Sequence, residues 1–83
     1  MTPRNELAST GYCLANPPWE YLTYLPEGDE VTLDLSAASG TFTVEWMHPV
    51  EGTIAHGGQV SGGARLDFAA PFSGAAVLYV KKG

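Results

Sequence analysis

Short runs rich in Val, Leu, Thr, Tyr, Phe and Trp recur along this chain about every ten residues, and a turn signal separates each run from the next. No window of a dozen residues keeps an apolar stripe at helical spacing free of Gly or Pro. This rhythm predicts an all-β fold: a two-layer antiparallel β-sandwich, immunoglobulin-like or jelly-roll-like, of about seven strands. The predicted strands are Gly11–Ala15, Glu20–Leu25, Glu30–Leu35, Thr41–His48, Thr53–His56, Arg65–Ala69 and Ala75–Lys81.

Three turn segments support this division. Residues 26–29 predict a tight turn in which Gly28 supplies a positive φ. Residues 49–52 lie between two β-rich runs and predict a hairpin, with Gly52 in the left-handed region. The Gly-rich segment at residues 57–63 predicts a loop or a weak, irregular edge strand.

Alternation within the runs assigns their faces. In the third run, Val31, Leu33 and Leu35 point to one side. In the fourth run, one face carries Phe42, Val44, Trp46 and His48. One buried and one wet face is what an antiparallel sheet in a sandwich requires. The last run, residues 76–80, is apolar on both faces. It predicts either a central strand covered on both sides or a surface that docks on a neighbouring domain.

Length and cysteine content set further limits. The 83 residues are enough for one domain with one thin core. Residues 1–9 are polar and predict a linker or tail, so residues 10–83 are the predicted domain. Cys13 is the only cysteine, which excludes an intrachain disulfide and a four-cysteine zinc site. We expect it to be a small buried residue, because nothing nearby in the sequence would lower its pKa and make it reactive.

Charge and hydropathy limit the partners. The chain has nine acidic and four basic residues and a formal charge of −5. Nucleic acids and anionic membranes are bound by clustered Lys and Arg, which are scattered here, so we expect neither partner. The first residues lack the layout of a signal peptide, and no apolar run approaches the roughly 18 residues that span a bilayer. An exported parent protein would need its signal elsewhere.

No catalytic motif is recognisable. A Gly-x-Ser-x-Gly elbow does not occur. The acidic residues lie in turns or on polar strand faces, whereas glycoside hydrolysis needs two carboxylates across a cleft. The Gly-rich segment at residues 57–63 lacks the Lys-Ser/Thr of a phosphate loop. We therefore predict no catalytic residue and no cofactor in this chain.

Two metal sites are conceivable from spacing alone. His48 and His56 flank the turn at residues 49–52, and Glu45 or Glu51 would supply a third zinc ligand. The acidic turn at residues 27–30 offers oxygens of the kind that calcium prefers. Neither spacing specifies a coordination geometry, so we predict solvated side chains and no metal.

Aromatic side chains are the best candidates for binding. Exposed Trp and Tyr rings stack on the apolar faces of sugars. Trp19 follows two prolines in a predicted loop, which favours an exposed ring. Tyr21 and Tyr24 lie on opposite faces of one run, so at most one of them belongs to the core. The candidate ligand-binding residues are Trp19, Tyr21 and Tyr24. The alternative for Trp19 is packing on another domain or over this core.

Several segments together resemble a known family. They are Tyr12–Pro17, Glu20–Pro26, Val31–Leu35, Phe42–Trp46, Phe68–Phe72 and Val77–Val80. In order and spacing they are similar to the family named "putative collagen-binding domain of a collagenase". The resemblance covers about residues 8–82. Two positions depart from it: residues 49–52 read Pro-Val-Glu-Gly rather than the usual Pro-x-Thr-Gly-like turn, and Pro18 stands where Gly is usual.

The resemblance implies an accessory role. Members of this family are C-terminal β-sandwich modules that follow a (β/α)-barrel catalytic domain in bacterial apiosidase-like glycoside hydrolases. We therefore expect a non-catalytic domain that packs against or orients the catalytic domain of the same parent chain, secreted or on the cell surface. The alternative is a carbohydrate- or collagen-binding module that uses exposed aromatic side chains.

Overall fold

The structure, a computed structural model, describes residues 2–17, 19–36, 38–71 and 74–82. The strands are β1 (Thr2–Pro3), β2 (Cys13–Asn16), β3 (Glu20–Leu25), β4 (Glu30–Asp34), β5 (Thr41–Met47), β6 (Ile54–Ser61), β7 (Arg65–Ala69) and β8 (Ala76–Lys82). A short 3-10 helix covers Asn5–Leu7. Pro18 and Phe72, both named in the family resemblance, lie outside the described residues. In the part of the chain that is described, no helix has the length and apolar content to cross a bilayer.

The strands form two antiparallel sheets. The larger sheet has six strands in the order β1-β2-β3-β8-β5-β6, and the smaller sheet pairs β4 with β7. This arrangement confirms the predicted two-layer antiparallel β-sandwich. The central position of β8 follows from its composition, because a strand that is apolar on both faces is most stable between two neighbours.

The core lies between the two sheets. The larger sheet contributes Cys13, Ala15, Tyr21, Leu25, Phe42, Val44, Trp46, Ala76, Leu78 and Val80, and the smaller sheet with its flanks contributes Val31, Leu33, Leu35 and Phe68. The period-two alternation predicted for β4 and β5 is therefore confirmed. Each large apolar side chain buried in this way contributes roughly 1.5–3 kcal/mol to folding.

The Gly-rich segment belongs to an edge strand. The structure extends β6 from Ile54 to Ser61, well past the predicted end at His56, and β6 pairs with β5 alone. The register shifts between Val44 and Glu45, as in a β-bulge. Of the two predicted alternatives, a loop or an irregular edge strand, the structure has the edge strand. The predicted strand ended too early because glycines give little strand signal.

The N-terminal residues pack on the sandwich. The sequence predicted a linker or tail here, but Thr2–Pro3 pairs with β2, and Ala8 is buried beside its bridge partner Leu33. The Asn5 side-chain oxygen accepts a hydrogen bond of 3.1 Å from the Cys13 backbone N–H. These contacts are made mostly by backbone and polar groups, which hydrophobic periodicity does not detect.

Candidate functional site

The outward face of the six-stranded sheet, here called the outer face, is ordered in rows that cross the strands. At one end Tyr24 stands opposite Val77, Val77 opposite Met47, and Met47 opposite Ile54. Neighbouring strands lie about 4.8 Å apart, so these side chains form one continuous apolar row. We call it the apolar row.

Two further rows follow along the strands. The mixed row contains Leu14, Leu22, Tyr79, Glu45 and His56. The polar row, at the far end of the outer face, contains Asn16, Glu20, Lys81, Thr43 and Gln59. The outer face therefore changes from apolar to polar along the strand direction.

Large apolar side chains are exposed mainly at the apolar end. On the outer face these are Tyr12, Leu14, Tyr24, Met47 and Ile54, and Val50 lies in the adjoining β5–β6 turn. Ile54 is 61% exposed. Contiguous apolar surface of this kind marks interaction sites in soluble proteins.

Two shallow grooves divide the apolar end. One, of about 270 Å³, lies beside Met47 and Ile54, and the other, of about 260 Å³, lies beside Tyr12 and Leu14. Both grooves are lined by Leu22 and Val77. A ridge of β3 and β8 side chains thus separates two apolar depressions, each large enough for one or two inserted side chains.

Polar groups at the border of this surface are already paired. Glu45 Oε2 lies 3.6 Å from His56 Nδ1, and the Tyr79 hydroxyl donates a hydrogen bond of 2.9 Å to Glu20 Oε1. The hydrogen bond to the Glu20 carboxylate raises the pKa of Tyr79. These side chains are therefore engaged with one another across the strands.

The three aromatic candidates occupy three different environments. Trp19 is 58% exposed, as predicted, and Lys82 Nζ lies 5.2 Å from its ring centroid. Tyr24 is 41% exposed and belongs to the apolar row. Tyr21 is 1% exposed and packs edge-on against Phe42, so its ring presents no surface to a ligand and it leaves the candidate binding set.

Trp19 and Tyr24 do not form a common platform. Trp19 lies in the turn before β3 and Tyr24 is the fifth residue of that strand, so about 16 Å of extended chain separates them. The Tyr24 ring instead contacts Tyr12, with centroids 6.0 Å apart and planes at 66°. A flat platform that stacks on consecutive sugars requires coplanar rings, which this edge-on pair does not provide.

The histidines have separate local roles. His56 faces Glu45, whereas His48 Nδ1 accepts hydrogen bonds from the backbone N–H groups of Val50 and Glu51 and so stabilises the β5–β6 turn. Within the described ranges no group of three or more His, Cys, Asp or Glu side chains is arranged to hold a metal ion.

Cys13 lies in the core. Its side chain is 3% exposed, and the Thr23 hydroxyl donates to its sulfur at 3.7 Å. Burial raises the pKa of the thiol. The prediction of a buried cysteine is confirmed, and a raised pKa disfavours the reactive thiolate.

The sequence predicted only part of the outer face. It identified β8 as apolar on both sides, but it did not identify Leu14, Leu22, Met47 and Ile54 as neighbours. The residues of β3 carry the same two-sided signal, because Leu22 and Tyr24 alternate with Tyr21 and Leu25. That signal was available in the sequence.

Comparison with known proteins identifies the family. Residues 5–79 match the family described as "Putative collagen-binding domain of a collagenase". The chain belongs to this family. A comparison with curated protein sequences finds no match. Membership in this family confirms the resemblance found in the sequence.

Two solved structures contain a domain with the same fold as this chain. A protein named "Glycoside hydrolase" is similar with a TM-score of 0.79 and 16% identity, over 99% of this chain and 21% of that chain. A glycoside hydrolase of family 5 from Bacteroides vulgatus ATCC 8482 is similar with a TM-score of 0.67 and 22% identity, over 77% of this chain and 15% of that chain. The domain thus spans about a fifth or less of the length of either neighbour.

Proposed function

We propose that this chain is a non-catalytic accessory domain of a larger glycoside hydrolase, in which it packs against and orients the catalytic domain. The observation that carries the proposal is the small share of each structural neighbour that this fold occupies, 21% of one and 15% of the other. In both glycoside hydrolases a sandwich of this kind is joined to a much longer stretch of polypeptide.

The chemistry of the chain supports a non-catalytic role. Glycoside hydrolysis uses two carboxyl groups held across a cleft. On the outer face, Glu45 faces His56 and Glu20 accepts a hydrogen bond from Tyr79. The grooves beside them are shallow and mostly apolar, and among the described residues Glu45 is the one carboxylate that lines either of them, so neither groove holds the pair of carboxyl groups that hydrolysis needs.

The test is a dissection of the longer polypeptide that carries this chain. The full-length protein, the protein without this domain and the domain alone are assayed on a panel of aryl glycosides and polysaccharides. We expect hydrolysis by the full-length protein, retained but less heat-stable activity without the domain, and no turnover by the domain. Hydrolysis by the domain alone, or a parent protein without hydrolase activity, would overturn the proposal.

The second candidate is a carbohydrate- or collagen-binding module. The exposure of Trp19, at 58%, is the observation that favours it. The test compares wild type with Trp19→Ala on glycan arrays and on immobilised collagen. Specific binding that Trp19→Ala abolishes would establish this role, and binding at background for every ligand would exclude it.

A further inference from the structure

We infer that a small pocket at the polar end of the sandwich, here called the end pocket, binds one ring of a neutral saccharide. The end pocket has a volume of about 140 Å³. It is lined by Arg4, Leu7, Pro17, Tyr21, Asp34 and Ser36. The inference goes beyond the accessory role and does not depend on it, and it gives the carbohydrate-binding candidate a site other than Trp19.

Three parts of the chain build the end pocket. The 3-10 helix supplies Leu7 and begins directly after Arg4, whose backbone N–H donates a hydrogen bond of 2.8 Å to the Cys13 carbonyl oxygen. Pro17 directly follows β2 of the larger sheet, and Asp34 is the last residue of β4 in the smaller sheet. The pocket therefore lies between the ends of the two sheets, and the segment that was predicted to be a linker closes one side of it.

The hydroxyl group of Tyr21 is the feature that indicates a ligand. The ring of Tyr21 is buried and offers no stacking surface, but its hydroxyl has no hydrogen-bond partner in the part of the chain that the structure describes. In that same part, every fully buried side-chain nitrogen or oxygen has a partner, so the 1% of Tyr21 that is exposed includes the hydroxyl. Because Tyr21 lines the end pocket, this hydroxyl opens into it. Polar groups at such depth are normally paired, and a bound ligand supplies the partner.

The volume and the apolar walls of the end pocket suit a single six-membered ring. An apolar cavity of about 150 Å³ accommodates one benzene molecule. The end pocket is of similar size, and Leu7 and Pro17 give it apolar walls against which the C–H groups of a sugar ring would pack. Sites for small molecules combine such walls with a few polar groups that fix orientation.

The polar groups of the end pocket match neighbouring sugar hydroxyls. Arg4 Nε donates a hydrogen bond of 2.9 Å to Glu6 Oε2, which orients the guanidinium and leaves its terminal N–H groups as donors. The Asp34 carboxylate accepts hydrogen bonds from the Ser36 hydroxyl and backbone N–H, and these lower its pKa. Asp34 is therefore ionised at neutral pH and accepts hydrogen bonds. Since a sugar hydroxyl both donates and accepts, two adjacent hydroxyls satisfy an Arg and an Asp together.

The balance of charge favours a neutral ligand. Arg4 and Asp34 place opposite charges at the end pocket. Burial raises the pKa of Tyr21, so its hydroxyl is uncharged at neutral pH. The lining thus has no net charge to attract an ion of either sign, and the formal charge of −5 on the whole chain repels anions.

A larger depression adjoins the end pocket. Its volume is about 320 Å³, and it shares Leu7 and Asp34 with the end pocket. Ser9, Thr32 and Arg65 give it further polar lining. Together the two depressions are longer than one ring. We therefore expect a disaccharide, with one ring in the end pocket, to bind more tightly than a monosaccharide.

The experiment is a titration of the 83-residue chain followed by two-dimensional proton–nitrogen NMR. The probes are the methyl glycosides of glucose, galactose, mannose and xylose, together with cellobiose and xylobiose. We expect at least one probe to cause saturable shifts of the Leu7 and Ser36 amide signals, with the disaccharide of that sugar binding more tightly. The absence of saturable shifts at these amides with every probe would show that the end pocket holds water alone and would overturn the inference.

Tyr21→Phe removes only the hydroxyl that opens into the end pocket. We expect the dissociation constant to rise about three- to tenfold, the usual effect of losing one hydrogen bond between neutral groups. The melting temperature of the free protein should not change, because this hydroxyl bonds no described residue. Equal dissociation constants for wild type and Tyr21→Phe would overturn the inference. A clear fall in the melting temperature of the free variant would show that the hydroxyl already has a partner in the protein, and it would have the same consequence.

Tyr12→Phe is the matched control. It removes the same atom from a ring that is exposed on the outer face, away from the end pocket. We expect it to leave both the dissociation constant and the melting temperature unchanged. Equal weakening of binding in Tyr12→Phe and Tyr21→Phe would place the ligand elsewhere and overturn the inference.

A third variant separates this inference from the other proposals. Binding that Trp19→Ala abolishes and Tyr21→Phe leaves unchanged would overturn the end pocket and support the carbohydrate-binding candidate at Trp19. Binding that Tyr21→Phe weakens and Trp19→Ala retains supports the end pocket. The accessory role is tested separately by the hydrolase activity of the longer polypeptide, which neither substitution addresses.

Discussion

The Tyr79 hydroxyl donates a hydrogen bond of 2.9 Å to Glu20 Oε1 and so joins β8 to β3 diagonally across the outer face. In the strand register Tyr79 stands opposite Leu22, and Glu20 stands opposite Lys81. The bond links the mixed row to the polar row. Because the carboxylate accepts a hydrogen bond from the phenolic hydroxyl, the protonated hydroxyl is stabilised and the pKa of Tyr79 rises above its ordinary value of 10.

Removing this bond tests its contribution to stability. We expect Tyr79→Phe to lower the free energy of unfolding by about 1 kcal/mol at neutral pH, because the ring stays and a partly exposed hydrogen bond is lost. The raised pKa makes this contribution complete below pH 10 and removes it as pH rises through the folded-state pKa. Urea unfolding of both proteins from neutral pH to above pH 10 measures the difference in free energy of unfolding between wild type and Tyr79→Phe.

Tyr12→Phe is the control for Tyr79→Phe. Tyr12 is exposed at the other end of the outer face. We expect its substitution to change the free energy of unfolding by less than about 0.5 kcal/mol, as for most surface positions. A gap between wild type and Tyr79→Phe that stays constant above pH 10 would contradict the assignment.

The Cys13 thiol should be protected from reagents in the folded protein. Its side chain is 3% exposed and burial raises its pKa, so both access and thiolate content are low. We expect Ellman's reagent to react slowly in buffer and rapidly in denaturant. In Thr41→Cys, which places a second thiol at an exposed position of β5, one thiol should react at once and the other slowly. Rapid reaction of Cys13 in the native protein would exclude its place in the core.

A pair of alanine substitutions tests which side of the sandwich is the core. Leu33 is fully buried between the sheets, whereas Ile54 is largely exposed on the outer face. We expect Leu33→Ala to cost about 2–5 kcal/mol, since it leaves a cavity. Ile54→Ala in the isolated domain should stay within about 0.5 kcal/mol of wild type. Denaturant titration of the two variants measures both free energies of unfolding. Equal losses would contradict the assignment of Leu33 to the core and of Ile54 to the surface.

The features predicted well from sequence are those set by local pattern. The bounds of β3 and β7 agree with prediction, and Phe42, Val44 and Trp46 are buried as their alternation predicted. Period-two alternation fixes which side chains share a face without reference to any other strand. The family resemblance also followed from local segments.

Local sequence pattern could not predict which side chains are neighbours on the outer face. Its apolar row joins Tyr24, Met47, Ile54 and Val77, which come from four strands and become neighbours only because β8 lies between β3 and β5. That strand order depends on non-local pairing, which hydrophobic periodicity does not encode. For the same reason the sequence could not decide between Tyr21 and Tyr24 as the exposed ring.

Gly28 and Gly52 occupy the same backbone region but differ in their surroundings. Their φ angles are 71° and 75°, so alanine is strained at both positions. At Gly28 an added Cβ would run into the backbone carbonyl oxygen of Gly74, whereas at Gly52 no atom of the described residues lies within 4 Å. We expect Gly52→Ala to cost about 1–2 kcal/mol from backbone strain alone.

Gly28→Ala should cost clearly more than Gly52→Ala. The additional penalty arises because the clashing atom belongs to the backbone and moves only if the chain before β8 is displaced. The difference between the melting temperatures of the two variants reports the cost of this clash, since the backbone strain is common to both. Equal melting temperatures would mean that the segment around Gly74 yields freely and does not hold the β3–β4 turn in place.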